Sequence, residues 1–328
     1  MSAESRDVTS PAAQPFSGGR KWLLAVLALL CLCVPLVTND YTQYVANMIL
    51  VFVVVTLGFN VIIGFLGQLA FCNTAFFGIG AYASGIFAGQ VAPDFLGALA
   101  AGGAAGALAG LIVGLPALRL SGYYLAIVTL AFGELMRWTY VHADRFTQGA
   151  TGLLIPTEKL FSVPLADGRL LYFVILAVTI FLIWLTLNLL RSRFGRNLVA
   201  IRNNEAAATC LGIPANRYKV AAFVWSGLLV GAAGAMFATV SGRITPESFN
   251  LHQLLLQFSM VMIGGLGSVT GSILGALVLT AGPELLRNFP GMEEIFFSFL
   301  LIFVLLFMPR GIGGFLARRA PLLDERLF

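Results

Sequence analysis

Apolar runs long enough to cross a membrane recur along almost the whole chain, and this feature removes most of the folds open to 328 residues. A hydrocarbon core about 30 Å thick needs about 20 mostly apolar residues per spanning helix. Such runs fall near 22–37, 44–66, 69–90, 94–115, 120–140, 170–190, 219–240, 252–266, 270–286 and 293–309. They leave no room for a soluble core. The chain is 59% hydrophobic and 11% charged, against about 45–50% and 25% in an ordinary soluble domain. The fold class that follows is all-α integral membrane, a polytopic helical bundle of about ten transmembrane helices. The 36 glycines follow no collagen period and form no low-complexity tract, so they belong where helices approach closely.

Charge gives the direction of threading, because Lys and Arg accumulate on the cytoplasmic side. With the N-terminus inside, the cytoplasmic set is the segment 1–21, Arg119, the loop 191–219 and the tail 310–328. These hold 14 of the 20 basic residues and 5 of the 15 acidic ones. A transmembrane domain of 22–309, with a loop 141–169 on the periplasmic face and both termini in the cytoplasm, is the organisation this predicts. The first run follows Arg20-Lys21, yet Val37-Thr38-Asn39-Asp40 offers no small-residue cleavage site, so it reads as a retained anchor. The basic pI is then a property of topology. It is not an affinity for nucleic acid, which would need a basic groove interleaved with aromatics.

Cys31, Cys33, Cys72 and Cys210 lie in apolar segments or the basic loop, so neither a disulfide framework nor a metal site is expected. No G-x-x-x-x-G-K-[ST] occurs, so ATP is not held by a P-loop of this chain. No nucleophile, base and metal set groups in sequence, which argues against catalysis.

Gly102, Gly106, Gly110 and Gly114 recur every four residues, as do Gly267, Gly271 and Gly275. Each row is expected on one helix face, where small residues let backbones touch. Gly64-Phe65-Leu66-Gly67-Gln68 and Gly264-Gly265-Leu266-Gly267-Ser268 share a pattern 200 positions apart, which suggests an internal repeat with chance similarity as its rival. Gln68, Asn73 and Thr74, near Asn60, are candidates for a polar translocation path, and interhelical hydrogen bonding is the alternative. Glu134 and Arg137 are spaced to pair on the fifth run, either as a substrate contact or as an interfacial ion pair.

The basic loop carries the strongest local signal. Residues 197–212 combine helix formers at Glu205 to Ala208 with a stop at Gly212-Ile213-Pro214, which predicts one short cytoplasmic helix. Leu198, Ile201, Glu205 and Ala208 share a face of it, a stripe suited either to a partner's groove or to lipid headgroups.

At this loop the chain resembles the permeases of ATP-binding-cassette importers for branched-chain amino acids, specifically the M-type subunit. The resemblance covers roughly residues 40–317. It is carried by Gly64 to Gln68 with Phe76 to Tyr82, by Tyr123 to Glu134, by Gly195-Arg196 through Ile201-Arg202 to Glu205-Ala206-Ala207 and Leu211-Gly212-Ile213, and by Gly264 to Val269 with Gly271. It implies an H-type permease partner, two ATPase subunits on the cytoplasmic face that hold ATP and Mg, a periplasmic substrate-binding protein, and the bacterial inner membrane with its lipid as the setting. No cofactor is implied for this chain itself. Arg196, Ile201, Arg202, Glu205, Ala206, Ala207 and Gly212 resemble the coupling motif that fits the ATPase groove, with four residues between Ala207 and Gly212 where the general motif has three. Thr147-Gln148-Gly149 stands where a Thr-Gly-Gly would be expected. Relatives of this type also serve urea, amides and aromatic acids. From another class, an ion-coupled secondary transporter would need a buried carboxylate near the midplane.

Overall fold

The computed structural model describes residues 39–120, 122–160, 163–165, 168–286 and 311. The expected spans 22–37 and 293–309 lie outside these residues. Each of the eight expected between them coincides with a helix. Helix α1 is Asp40–Asn60, prolonged by a π-helical turn Val61–Leu66; α2 is Asn73–Gln90, α3 Phe95–Ala117 and α4 Tyr123–His142. Helix α5 is Gly168–Arg191, followed by the short helices α6, Arg193–Asn203, and α7, Glu205–Cys210. Then come α8, Ala215–Ser241, α9, Leu251–Gly264, and α10, Val269–Leu286.

Among the described residues four helices are long and apolar enough to cross a membrane: Asp40–Leu66, Phe95–Ala117, Gly168–Arg191 and Ala215–Ser241. Leu251–Gly264 and Val269–Glu284 are shorter apolar helices. This is an integral membrane helical protein.

Helix α1 is apolar around its circumference and is therefore enclosed: every residue from Val53 to Leu66 is buried. Glycine determines what packs around it. A Cβ on Gly106 would collide with the Gly227 carbonyl, one on Gly110 with the Phe223 carbonyl, and one on Gly80 with the Gly231 carbonyl. Helices α2, α3 and α8 thus touch backbone to backbone, gaining dispersion contact where lipid supplies no hydrophobic drive. Gly264 and Gly271 do the same between α9 and α10. The second glycine row begins later than its spacing suggests, because Gly267 lies in the turn before α10 and not on the helix.

Side-chain caps mark several helix starts, each satisfying a backbone N–H that the helix leaves free. Asp94 accepts from Gly97 N at 2.9 Å for α3, and Asn250 from Gln253 N at 2.9 Å for α9. Leu108, Ile112 and Leu115 of α3 and Ile180, Phe181 and Trp184 of α5 are exposed apolar residues, as a lipid-facing surface requires.

The loop after α4 is more ordered than its sequence suggests. Strand β1, Leu153–Leu154, pairs antiparallel with β4, Arg243–Ile244, after α8, and β2, Lys159–Leu160, pairs with β3, Val163–Pro164. At the same end, Phe249 packs against Phe77, Tyr82 and Tyr140 with ring centroids 5.6 to 5.9 Å apart.

Candidate functional site

Two helix breaks meet at the end of the bundle that carries α6 and α7. The first follows the π turn of α1, where Gly67 takes φ +77°; the second follows α9, where Gly267 also takes φ +77°. These are corresponding positions of the two similar five-residue motifs, and the fold sets them side by side. Asn60, fully buried on α1, joins them. Its Nδ2 donates to Ser272 Oγ at 2.7 Å and to the Ser268 carbonyl at 3.0 Å, and its Oδ1 accepts from Gly267 N at 2.9 Å. A Cβ on Gly64 would collide with that Asn60 amide and with Gly267 N. Side-chain amides are suited to this, since an amide both donates and accepts and so satisfies an interrupted backbone in a buried place.

A polar cluster joins α2 to α9. Asn73, the first residue of α2, donates through Nδ2 to Gln257 Oε1 of α9 at 2.7 Å, and Thr74 Oγ1 lies 3.5 Å from the same oxygen. All three residues are buried. Among the described residues, Asn73 Oδ1, Gln257 Nε2 and Gln68 Oε1 nevertheless have no hydrogen-bond partner. Buried polar atoms without partners carry a desolvation cost, and the Asn73 amide lies at the N-terminus of α2, where free N–H groups favour anionic ligand groups. Gln257 was not among the candidates from sequence, although it stands out in Leu251 to Gly264 as a polar residue inside an apolar run.

Glu134 is not part of this cluster. It pairs with Arg137 Nε at 2.8 Å on the exposed side of α4, both side chains about two-fifths accessible. It stands 11 residues from the start of α4 and 8 from its end, measured on Tyr123–His142. Tyr123, Tyr124, Ile127 and Trp138 are exposed along α4 as well.

The basic loop folds as two helices where one was expected. Ser192 caps α6 by accepting from Phe194 N at 3.1 Å, and Asn204 breaks the chain, capping α7 by accepting from Ala207 N at 3.0 Å. Leu198, Ile201 and Ala208 are buried in this chain's own core, so the apolar stripe anchors the loop to the bundle and does not present a docking face. Ile201, 5% exposed, packs into the bundle. Glu205 is exposed and pairs with Lys219 of α8 at 2.5 Å. Arg196, Ala206, Ala207 and Gly212 are exposed, with Leu211 81% accessible beside Gly212, which closes α7 at φ +82°. Arg202 reaches back to the bundle, its guanidinium donating to the Gly64 carbonyl.

On the opposite end, Thr147 is buried and donates to the Tyr140 carbonyl at 2.8 Å. Gln148 holds φ 58°, the left-handed conformation that glycine would adopt without strain. Glu158 is 2% exposed and accepts from Thr239 Oγ1 at 3.0 Å. Burial pushes its carboxyl up to about 7; the Thr239 hydrogen bond works against that rise and Asp94 adds to it. No sequence signal distinguished Glu158, which lies in a loop of mixed charge.

Apolar helices enclosing buried, partly paired amides, interrupted near one face and carrying a capped helix pair there, fit a polytopic membrane permease. Residues 41–309 match the family described as branched-chain amino acid transport system / permease component. The chain belongs to that family, whose members are transport permease subunits of importers and not enzymes. It is 30% identical to the high-affinity branched-chain amino acid transport system permease protein LivM of Escherichia coli, covering 92% of this chain and 77% of that one. It is 25% identical to LivH of Escherichia coli over 80% of this chain and 91% of that one. It is 31% identical to the autoinducer 2 import system permease protein LsrC of Enterobacter over 57% of this chain and 53% of that one. No solved structure matches.

Proposed function

We propose that this chain is the M-type permease of an ATP-driven importer that carries leucine, isoleucine or valine inward across a bacterial inner membrane by alternating access. The closer similarity to LivM than to LivH favours the M-type assignment and the branched-chain substrate. About ten spans, with both termini and α6–α7 in the cytoplasm, fit the bias of basic residues. Two ATPase subunits bind ATP and Mg on that face, a substrate-binding protein delivers the amino acid from the periplasm, and an H-type permease completes the membrane domain.

The observation that carries this reading is the α6–α7 pair. It is anchored by Leu198, Ile201 and Ala208 and exposes Glu205-Ala206-Ala207 and Leu211-Gly212. A rigid knob of small exposed residues is what a groove on a moving ATPase can grip, and nucleotide-driven closure would tilt the bundle through it. Ala207→Arg tests this. Its side chain is exposed and outside the Lys219 pair, so membrane accumulation should be normal. ATPase subunits should be lost from the complex purified out of native membranes, and leucine uptake should fall about tenfold or more, as at a central interface residue. Full uptake with ATPase subunits retained would overturn the proposal.

A further inference from the structure

Arg202 stands apart from the other exposed residues of the basic loop because its side chain turns inward. Its guanidinium donates to the carbonyl oxygen of Gly64 in the π turn of α1. Its stem crosses the first turn, with Cγ 2.6 Å from where a Gly67 Cβ would stand, and its Nη1 is 3.1 Å from the corresponding point on Gly267. One side chain of the loop thus rests on both glycine turns. Both are places where a Cβ would meet it.

The electrostatics suit this placement. Helix α1 with its π turn ends at Leu66 and α9 ends at Gly264, so both present carbonyl ends there, where a helix carries partial negative charge. A guanidinium, always charged and with several donors in a plane, can serve two such ends at once. Asn60 ties the turns to each other from inside the bundle and Arg202 ties them to α6 from outside it. The neighbours of Arg202 are firmly held: Leu198 is fully buried and Ile201 is 5% exposed. Movement of α6 is therefore passed to the turns and not absorbed locally.

We infer that Arg202 is a positioning residue that locks the paired turns Gly64–Gln68 and Gly264–Ser268 as the inner gate of the permease, and that displacement of α6 releases them together. The inference rests on the proposed coupling of α6–α7 to an ATPase. Non-helical backbone within a membrane protein is tolerated where it is enclosed by protein or lines water, and α9, which the second break ends, also carries Gln257 of the amide cluster. The gate has two arrangements: turns clasped by Arg202 and Asn60, and turns parted once the clasp is drawn away.

The test uses the importer purified whole from native membranes and returned to proteoliposomes, with leucine as substrate. Arg202→Met keeps the stem and removes the donor; Arg202→Lys keeps a charge and a donor. The expected result for Arg202→Met is unchanged recovery of ATPase subunits, ATP turnover that no longer responds to the binding protein, and uptake reduced about tenfold, within the range of measured coupling effects. Arg202→Lys should recover part of both. Uptake by Arg202→Met equal to the unsubstituted protein overturns the lock. Loss of ATPase subunits from Arg202→Met also overturns it, making Arg202 a docking residue while leaving the coupling reading in place. Absence of ATPase subunits from the unsubstituted protein removes the coupling reading itself. Should either variant fail to accumulate, hydrogen exchange on the unsubstituted complex decides: the two turns must change protection together between nucleotide-free and vanadate-trapped states, and unchanged protection overturns the proposal.

Discussion

The α3–α8 pair and the α9–α10 pair both pack through glycine, yet they are different kinds of joint. Helices α3 and α8 are continuous over 23 and 27 residues, and Gly102, Gly106 and Gly110 of α3 lie against backbone or small side chains along the crossing. No polar side chain is needed there. Helices α9 and α10 are shorter, meet through Gly264, Gly271 and Gly275, and are separated by a turn whose backbone is held by Asn60 from a third helix. The first joint is made of shape and the second of shape plus directional hydrogen bonds. A joint of the first kind has one good arrangement, whereas hydrogen bonds to a turn can be exchanged for others at modest net cost. Motion is therefore expected at the second.

The largest expected effect breaks the first joint. Gly106→Val would drive methyl groups into the Gly227 backbone, where no flexible side chain can give way. Accumulation in membranes should collapse, as an overpacking cost of about 3 kcal/mol or more implies. Normal accumulation would mean that α3 and α8 separate easily, and the contrast would fail. Asn60→Ala should be intermediate. It leaves Gly267 N and Ser272 Oγ without their buried partner, a loss of about 2–3 kcal/mol. The lost thermal stability in detergent should be accompanied by uptake reduced more than accumulation, since the clasp between the turns is gone. The smallest effect is a control from the same helix. Gly103 lies one position off the row and a Cβ there would sit 3.6 Å from the Leu228 carbonyl, an ordinary contact. Gly103→Ala should stabilise by up to about 0.5–1 kcal/mol through helix propensity, read as a small rise in detergent melting temperature. A fall would show that the whole face of α3 is critical.

How far the sequence could be read follows from the same distinction. Hydropathy located the helices between residues 44 and 286 because a membrane helix is a local solution to backbone hydrogen bonding. The rows of Gly102 to Gly114 were visible for a similar reason, as one period on one helix. What periodicity could not supply was the partner of each group. Gln257 meets Asn73 across 184 positions, Lys219 takes Glu205 out of the stripe expected to dock elsewhere, and Asn204 divides a helix that propensity alone would continue. The similarity between Gly64 to Gln68 and Gly264 to Ser268 was legible as letters. That the two would touch, with the same left-handed glycine in each, was not.

The shortness of α9 has a consequence for the barrier itself. At about 1.5 Å per residue, its 14 residues reach only about 21 Å, against a hydrocarbon core of about 30 Å, and tilt can only reduce that reach. Beyond Gly264 the chain continues as the turn whose Gly267 N donates to Asn60 Oδ1. A helix this short leaves the polar backbone of its flanking turn at the depth of the hydrocarbon core, which is tolerated only where protein encloses it or water lines it.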